Sequence, residues 1–380
     1  MIKNARLVKL TQKVVSFNSE NPPGNELALS KFIAADMRSL GLDVKLYTFA
    51  KNRPNIVATL KGKLPRARAA KESILMTPHF DTVPIGSGWK YNPLGGQIVN
   101  GKLYGRGSTD DKANLAVSME VMRSLVEDRV PIKRDIIMAA TVDEETGSRK
   151  GIIPLLEKKI LKPQVALILD SDEFDVIVSQ KGLFHSRVQI FGKKAHAAYN
   201  WRGVSAIELA AKVINRIKNH RFKFKSHPRL HAPTTNIGVI RGGDKVNMVA
   251  DFCEFALDVR FLHSMKSSAV IHEIKSIIRK DAPRFKLIID DLQQPYDIDP
   301  DHPFVKTYLA TAKKMGIASS LKGSEGATVI TFFKKQKIPA FATGYGSSGT
   351  AHTTDEYCEI NKLFKGAKLL EQFLKDYDNR

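Results

Sequence analysis

The chain has 380 residues, 43% of them hydrophobic, with a formal net charge of +21 and two cysteines. That length supports a substantial core and more than one domain. Cys253 and Cys358 have no ligand spacing, which excludes a disulfide framework and a cysteine-built metal site. The N-terminal stretch sets Ile2, Leu7, Val8, Leu10, Val14 and Val15 at helical intervals, without the apolar stretch and cleavage site of a signal peptide. No apolar run reaches the length of a membrane span, so the cytoplasm is the expected compartment. A turn at 21–24 leads to a second amphipathic helix over 26–40, stopped by Gly41. Residues 43–49 and 55–60 read as strands, and the basic segment 61–71 between them and the next strand reads as a solvated hairpin tip.

The next elements share one feature: each ends on residues with metal-ligand chemistry. The apolar run 73–77 stops at Pro78-His79-Phe80-Asp81. The stretch 105–112, GRGSTDDK, ends a glycine-loosened turn with Asp110 and Asp111 before a helix over 113–127. The run 134–142 delivers Asp143, Glu144 and Glu145, and the run 165–169 delivers Asp170. Near the C-terminus, 338–343 is followed by Gly344-Tyr345-Gly346-Ser347-Ser348-Gly349 and then His352. Short apolar runs separated by helical patterns predict parallel strands of an α/β sheet, and open sheets of that kind bind ligands beyond the carboxyl ends of their strands. Two imidazoles and several carboxylates therefore converge on one edge, with Asp110 expected at the centre. Zinc accepts His nitrogen and carboxylate oxygen, and a carboxylate with two oxygens can bridge a pair of ions.

After Asp170 the pattern changes to strand 183–191, helix 204–217, strands 234–240 and 251–261, helix 267–279 and strand 284–289. That is the βαββαβ order of a ferredoxin-like unit. It interrupts a catalytic domain expected over 1–178 and 293–380, leaving 179–292 as an inserted domain.

HFD at 79–81, GRGSTDDK at 105–112, DEETGS at 143–148 and AHTTDE at 351–356 resemble the four motifs of the dizinc family of succinyl-diaminopimelate desuccinylase, acetylornithine deacetylase, aminoacylase and carboxypeptidase G. The likeness runs from Ser19 to the terminal helix. It implies a zinc-exopeptidase-like mixed sheet with helices on both faces, and an inserted lid that commonly dimerises such enzymes. Residue by residue it implies that His79, Asp110 and Asp170 hold one zinc ion and Asp110, Glu145 and His352 the other, with cobalt or manganese able to occupy the same set. Asp172 lies close enough to Asp170 to be the ligand in its place. Asp81 would accept from the free ring nitrogen of His79. Glu144 would be the general base, and His196 would donate to the developing oxyanion. Asn247 and Arg260 match positions that contact substrate, although a cap or a salt bridge explains each nearly as well. Departures from the family pattern at Ala113, Asp170 and 323–328 bear on substrate choice.

The implied activity is hydrolysis of an amide in an N-acyl amino acid or a short peptide with a free carboxylate. A length similar to the biosynthetic deacylases puts deacylase ahead of carboxypeptidase or dipeptidase. The remaining histidines read as surface or packing residues. Residues 181–290 hold 21 basic against 8 acidic residues. Within them, 216–229 interleaves aromatics with cations, which could track a phosphate backbone, but a solvated helix end and loop is the preferred reading, with a field that draws in anionic substrates between the two. A non-catalytic basic binding protein on this scaffold is the alternative. Residues 344–349 also satisfy a GxGxxG pattern, without the opening strand and following helix of a dinucleotide site.

Overall fold

The computed structural model describes residues 1–171 and 173–380, so Asp172 lies outside the described residues. The chain forms two compact units, one of Met1–Val178, Ile298–Lys322 and Thr328–Arg380, the other of Ser179–Asp297 and Gly323–Ala327.

In the first unit, the four runs that end on chemistry-bearing residues fold as neighbours. Ile136–Ala140, Ile74–Thr77, Val165–Leu169 and Ala340–Thr343 pair side by side in that order, all parallel. Pro54–Leu60 joins Ile136–Ala140 antiparallel, and Asp43–Thr48 closes that side antiparallel. On the far side Val176–Gln180 pairs antiparallel with Ala340–Thr343 at Ile177, so the sheet is mixed. Every residue of Ile74–Thr77, Val165–Leu169 and Ala340–Thr343 is buried, as continuous apolar runs are when both faces of a strand are covered.

The helix Lys112–Glu127 follows the Asp110 turn and is buried almost all round. Its polar residues are therefore paired: the Lys112 ammonium donates to the Phe17 carbonyl, Ser118 to the Asn114 carbonyl, and Glu120 accepts from Arg6. Helices Asn4–Val15 and Ile360–Asp378 pack on it, and Pro303–Lys314 packs on Ile360–Asp378. Phe304, Tyr308, Phe341 and Phe373 interlock there at centroid distances of 4.9–6.1 Å. Among the described residues no helix is long and apolar enough to cross a membrane.

Segment 61–71 is not a simple hairpin tip. Arg66–Lys71 is a short helix with Ala69 buried. Three alanines favour that helix, and Asp135 anchors its start by accepting from the Gly62 amide at 2.9 Å and from Arg66.

The second unit is a four-stranded antiparallel sheet ordered Thr234–Gly242, Phe252–Phe261, Gly182–Phe191, Phe285–Gln293. Alternate residues of the central strands, such as Val188, Ile190, Phe255 and Val259, meet Val213, Ile217, Ile274 and Ile278 of helices Ala206–Asn219 and Ser267–Asp281 in one core. The connectivity is ferredoxin-like. This unit runs to Asp297 because Tyr296 and Asp297 pair with Gln180 and Ser179.

The aromatic cluster gives a stability test. Phe341 is fully buried, so Phe341→Ala should cost about 3–5 kcal/mol through lost burial and the cavity left behind. A urea denaturation midpoint reads the loss, and a shift worth less than about 1 kcal/mol would contradict the packing described.

Candidate metal centre

The parallel strands each stop at the same edge, and the loops beyond them carry the predicted side chains. His79 follows Ile74–Thr77 and bridges to Thr141 just past Ile136–Ala140. Asp143 takes a left-handed φ of 69° and opens a single 3-10 turn, Glu144–Thr146. Asp170 follows Val165–Leu169, its amide bound to the Thr343 carbonyl at 3.1 Å. The two chains run so close there that a Cβ on Gly344 would meet the Ser171 carbonyl oxygen at 1.6 Å. His352 comes from the loop beyond Ala340–Thr343, and the next helix begins only at Ile360, so the GxGxxG glycines open no helix.

Asp110 lies where these loops meet. Its Oδ1 is 2.9 Å from His79 Nε2 and its Oδ2 is 3.1 Å from His352 Nε2. His352 Nε2 is also 3.2 Å from the Glu145 carboxylate. Ligand atoms of His79, Asp110 and Glu145 lie within 4.8 Å of one another, and so do those of His79, Glu144 and Asp170. The structure thus groups Asp170 with His79 and Glu144.

The cluster is electrostatically one-sided. Burial would push the His79 ring down, but hydrogen bonds to Asp110 and Asp81 hold it well above its ordinary value. Hydrogen bonds to Asp110 and Glu145 hold His352 up at about 10. Burial pushes Glu144 well up, helped by the nearby charge of Asp170, and pushes Asp111 up as well. A set of carboxylates this close favours any added positive charge. Its donors are two imidazole nitrogens and carboxylate oxygens with no thiolate, a set that fits divalent zinc, cobalt or manganese.

Asp81 meets the His79 ring with two of its oxygens. The ring Nδ1 of His79 is 3.0 Å from the Asp81 backbone carbonyl and 3.5 Å from its carboxylate. The carboxylate also accepts from the amides of Glu144 and Glu145 at 3.1 and 3.2 Å and from Asn21 at 2.8 Å. A carbonyl can only accept, so it keeps the proton on Nδ1 and turns Nε2 toward Asp110. Asp81 thereby fixes the ring with its main chain and the Glu144-Glu145 turn with its side chain.

Three further groups position the cluster. Buried Glu356 accepts from the amides of Thr109 and Asp110 at 2.8 and 3.0 Å with one oxygen, and from Arg106 and the Gly107 amide at 2.7 and 3.1 Å with the other. Asp111 accepts from the His79 amide at 3.0 Å and from Asn114 at 2.6 Å. Arg53 is buried between Glu26 and Asp143, tying the 3-10 turn to the second helix. Glu356 and Asp111 had a sequence signal, as the last residue of AHTTDE and as part of GRGSTDDK. Arg53 lies 27 residues from Glu26 and 90 from Asp143, and no spacing marks it.

The remaining predicted residues belong to the second unit. His196 precedes the 3-10 helix Ala197–Arg202, its Nδ1 accepting from the Ala198 amide at 3.1 Å. Asn247 is exposed, and its carbonyl accepts from the Ala197 amide at 3.0 Å, so His196 and Asn247 share one loop pair. Arg260 forks onto Asp258 at 2.9 and 3.1 Å, and His185 binds the same carboxylate at 3.1 Å. Other histidines are engaged locally, His220 with Glu273 at 2.6 Å and His231 with Glu325 at 3.0 Å.

Comparison with known proteins points the same way. Acetylornithine deacetylase of Vibrio cholerae is 27% identical over 382 residues, spanning 97% of this chain and 96% of its own. The crystal structure of aminopeptidase PepT from Bacillus cereus is similar, with a TM-score of 0.82, 25% identity and 99% of both chains covered. A tripeptidase from Staphylococcus aureus has a TM-score of 0.83 and 25% identity over 100% of both chains. The family model described as peptidase family M20/M25/M40 matches residues 75–376, the span from the first of the parallel strands to the terminal helix. The chain belongs to that family and is a metal-dependent hydrolase.

Proposed function

We propose that the chain hydrolyses the amide bond of an N-acyl amino acid or a short peptide with a free carboxylate, and that deacylation is its main reaction. The observation that carries this reading is the shared Asp110 carboxylate, which meets an imidazole at each oxygen. Deacylation is supported by the likeness to acetylornithine deacetylase over nearly the whole chain. The structural likeness to an aminopeptidase and a tripeptidase favours the peptidase reading as the second choice.

In this reading His79, Asp110 and Asp170 hold one zinc ion, and Asp110, Glu145 and His352 hold the other. Metal held there would supply polarisation of the scissile carbonyl and a water acidic enough to lose a proton to Glu144 and attack as hydroxide. Glu144 takes the proton from that water and returns it to the leaving amine, and a carboxylate whose proton affinity is raised by burial and by Asp170 suits both transfers. Asp81 keeps Glu144 and Glu145 on their separate tasks through their amides. His196 donates to the oxyanion, while Asn247 and Arg260 hold the substrate carboxylate. Products are a free carboxylate and a free amine. The second unit serves as lid and dimer contact, supported by exposed apolar side chains such as Trp201, Ile240 and Val246.

A panel of N-acetylornithine, N-succinyl-diaminopimelate, other N-acyl amino acids and simple dipeptides, assayed with and without chelator, tests the reaction class. Chelator-sensitive turnover favouring an N-acyl amino acid is expected, and faster dipeptide cleavage would reverse the order of the two readings. Glu144→Gln should lower kcat by at least about 100-fold while metal content stays near wild type. His79→Ala should lose metal. Equal metal loss in both variants would remove Glu144 from the role of base.

The imidazoles also set a pH dependence. His79 and His352 must give up a proton to bind metal, so uptake should release protons and tighten as pH rises. For the metal-free chain the sign is opposite. His352 is raised from 6.5 to about 10, so the stability from its ion pairs is complete below 6.5 and is lost as pH rises through about 10. Calorimetry of zinc binding in buffers of different ionisation heat reads the released protons, and uptake with no proton release would contradict the protonated pair.

A further inference from the structure

We infer that the opposite edge of the same sheet carries a second site, for a phosphate-type oxyanion. Ser73, Asp135 and Leu161 lie before the strands Ile74–Thr77, Ile136–Ala140 and Val165–Leu169, whereas the metal-centre residues follow them. Strands of that length put the two edges roughly 15 Å apart. At this second edge a pocket of about 260 Å³ opens within the first unit. Nothing in the proposed hydrolysis uses it.

Its lining is that of an anion site. Four cations, Lys45, Arg66, Lys159 and Lys162, and three hydroxyls, Tyr47, Thr59 and Ser73, face two acids, Asp43 and Asp135. Both acids are already answered. Asp135 holds Arg66 and the Gly62 amide, and Asp43 lies 3.6 Å from Lys61 outside the pocket. Among the described residues Lys45, Lys159 and Lys162 have no acidic partner within 4.0 Å, so the pocket keeps a surplus of positive charge. Ser73 supplies the second observation. It is 1% exposed, and its hydroxyl oxygen is buried without a hydrogen-bond partner. A buried hydroxyl left unpaired is costly, and a bound oxyanion would pair it.

Phosphate suits this lining better than a carboxylate does. Three uncompensated ammonium groups and three hydroxyls exceed what two carboxylate oxygens accept, whereas a phosphomonoester presents three strong acceptor oxygens. The volume is below that of pockets for drug-sized ligands, roughly 300–1,000 Å³. Val57 and Ile137 on the sheet leave room for a small apolar remainder. Segment 61–71 acquires a purpose here, since its short helix brings Arg66 and Ala70 to the pocket wall.

The test is calorimetric titration of the full-length, metal-loaded chain with inorganic phosphate, ethyl phosphate and acetate. Because phosphate also ligates metal ions, the Lys159→Gln/Lys162→Gln double variant is titrated beside the wild type, with Lys313→Gln/Lys314→Gln as a control for net charge. One saturable phosphate site per chain is expected, weakened at least about tenfold in the pocket double variant and also weakened by Ser73→Ala. The control should bind as wild type, acetate should bind far more weakly, and kcat for hydrolysis should be unchanged in the pocket variants. Tighter ethyl phosphate than phosphate would identify the ligand as a phosphomonoester, and equal affinity as free phosphate. Absence of saturable binding, full binding in the pocket double variant, or equal loss in the control would each overturn the proposal.

Discussion

The structure of the first unit depends on one constraint, that a single carboxylate must present its two oxygens to two imidazoles from opposite ends of the chain. Asp110 meets His79 with one oxygen and His352 with the other, across 31 and 242 residues of sequence. Parallel strands solve the problem of bringing them together, because each strand delivers the residue after it to the same edge. The turn before Asp110 is then fixed by the buried Glu356 carboxylate, which gathers the amides of Gly107, Thr109 and Asp110. Gly107 permits that turn with a φ of 83°, where a Cβ would collide with Thr82 and Lys112.

A second layer of carboxylates does the positioning. Asp81, Asp111 and Glu356 are buried, and each accepts backbone amides of the loops that carry the cluster. Although burial would push the Asp81 carboxyl up, His79 and the surrounding donors hold it below its ordinary value, and such charge-assisted hydrogen bonds are among the stronger ones available to a protein. They also explain why adjacent Glu144 and Glu145 hold separate positions: both amides are pinned to Asp81, and the side chains diverge from a fixed 3-10 turn. Function of the hydrolytic kind relies on this precision, since small displacements of a base from its water are costly.

Much of this was legible in the sequence, for a physical reason. A buried parallel strand must be apolar throughout, so the first polar residues after it stand out, and His79, Glu144, Glu145 and Asp170 are all of that kind. The ferredoxin-like order was legible from alternating strands and amphipathic helices. What escaped were interactions that leave no periodic trace. The Arg53 pairing with Glu26 and Asp143 joins residues far apart in the chain. The hold of the Asp81 carboxylate on the amides of Glu144 and Glu145 escaped too, because no spacing reveals it. The short helix at 66–71 escaped because its start is anchored by Asp135, far along the chain.

The central claim is that Asp110 serves two metal ions at once. Elemental analysis of zinc per chain, for the wild type and for Asp110→Asn after identical zinc loading and dialysis, tests it directly. The account predicts two ions in the wild type and loss of both in Asp110→Asn, because an amide offers one oxygen and no charge to the pair. A wild type with a single ion, or an Asp110→Asn variant that retains both, would contradict it.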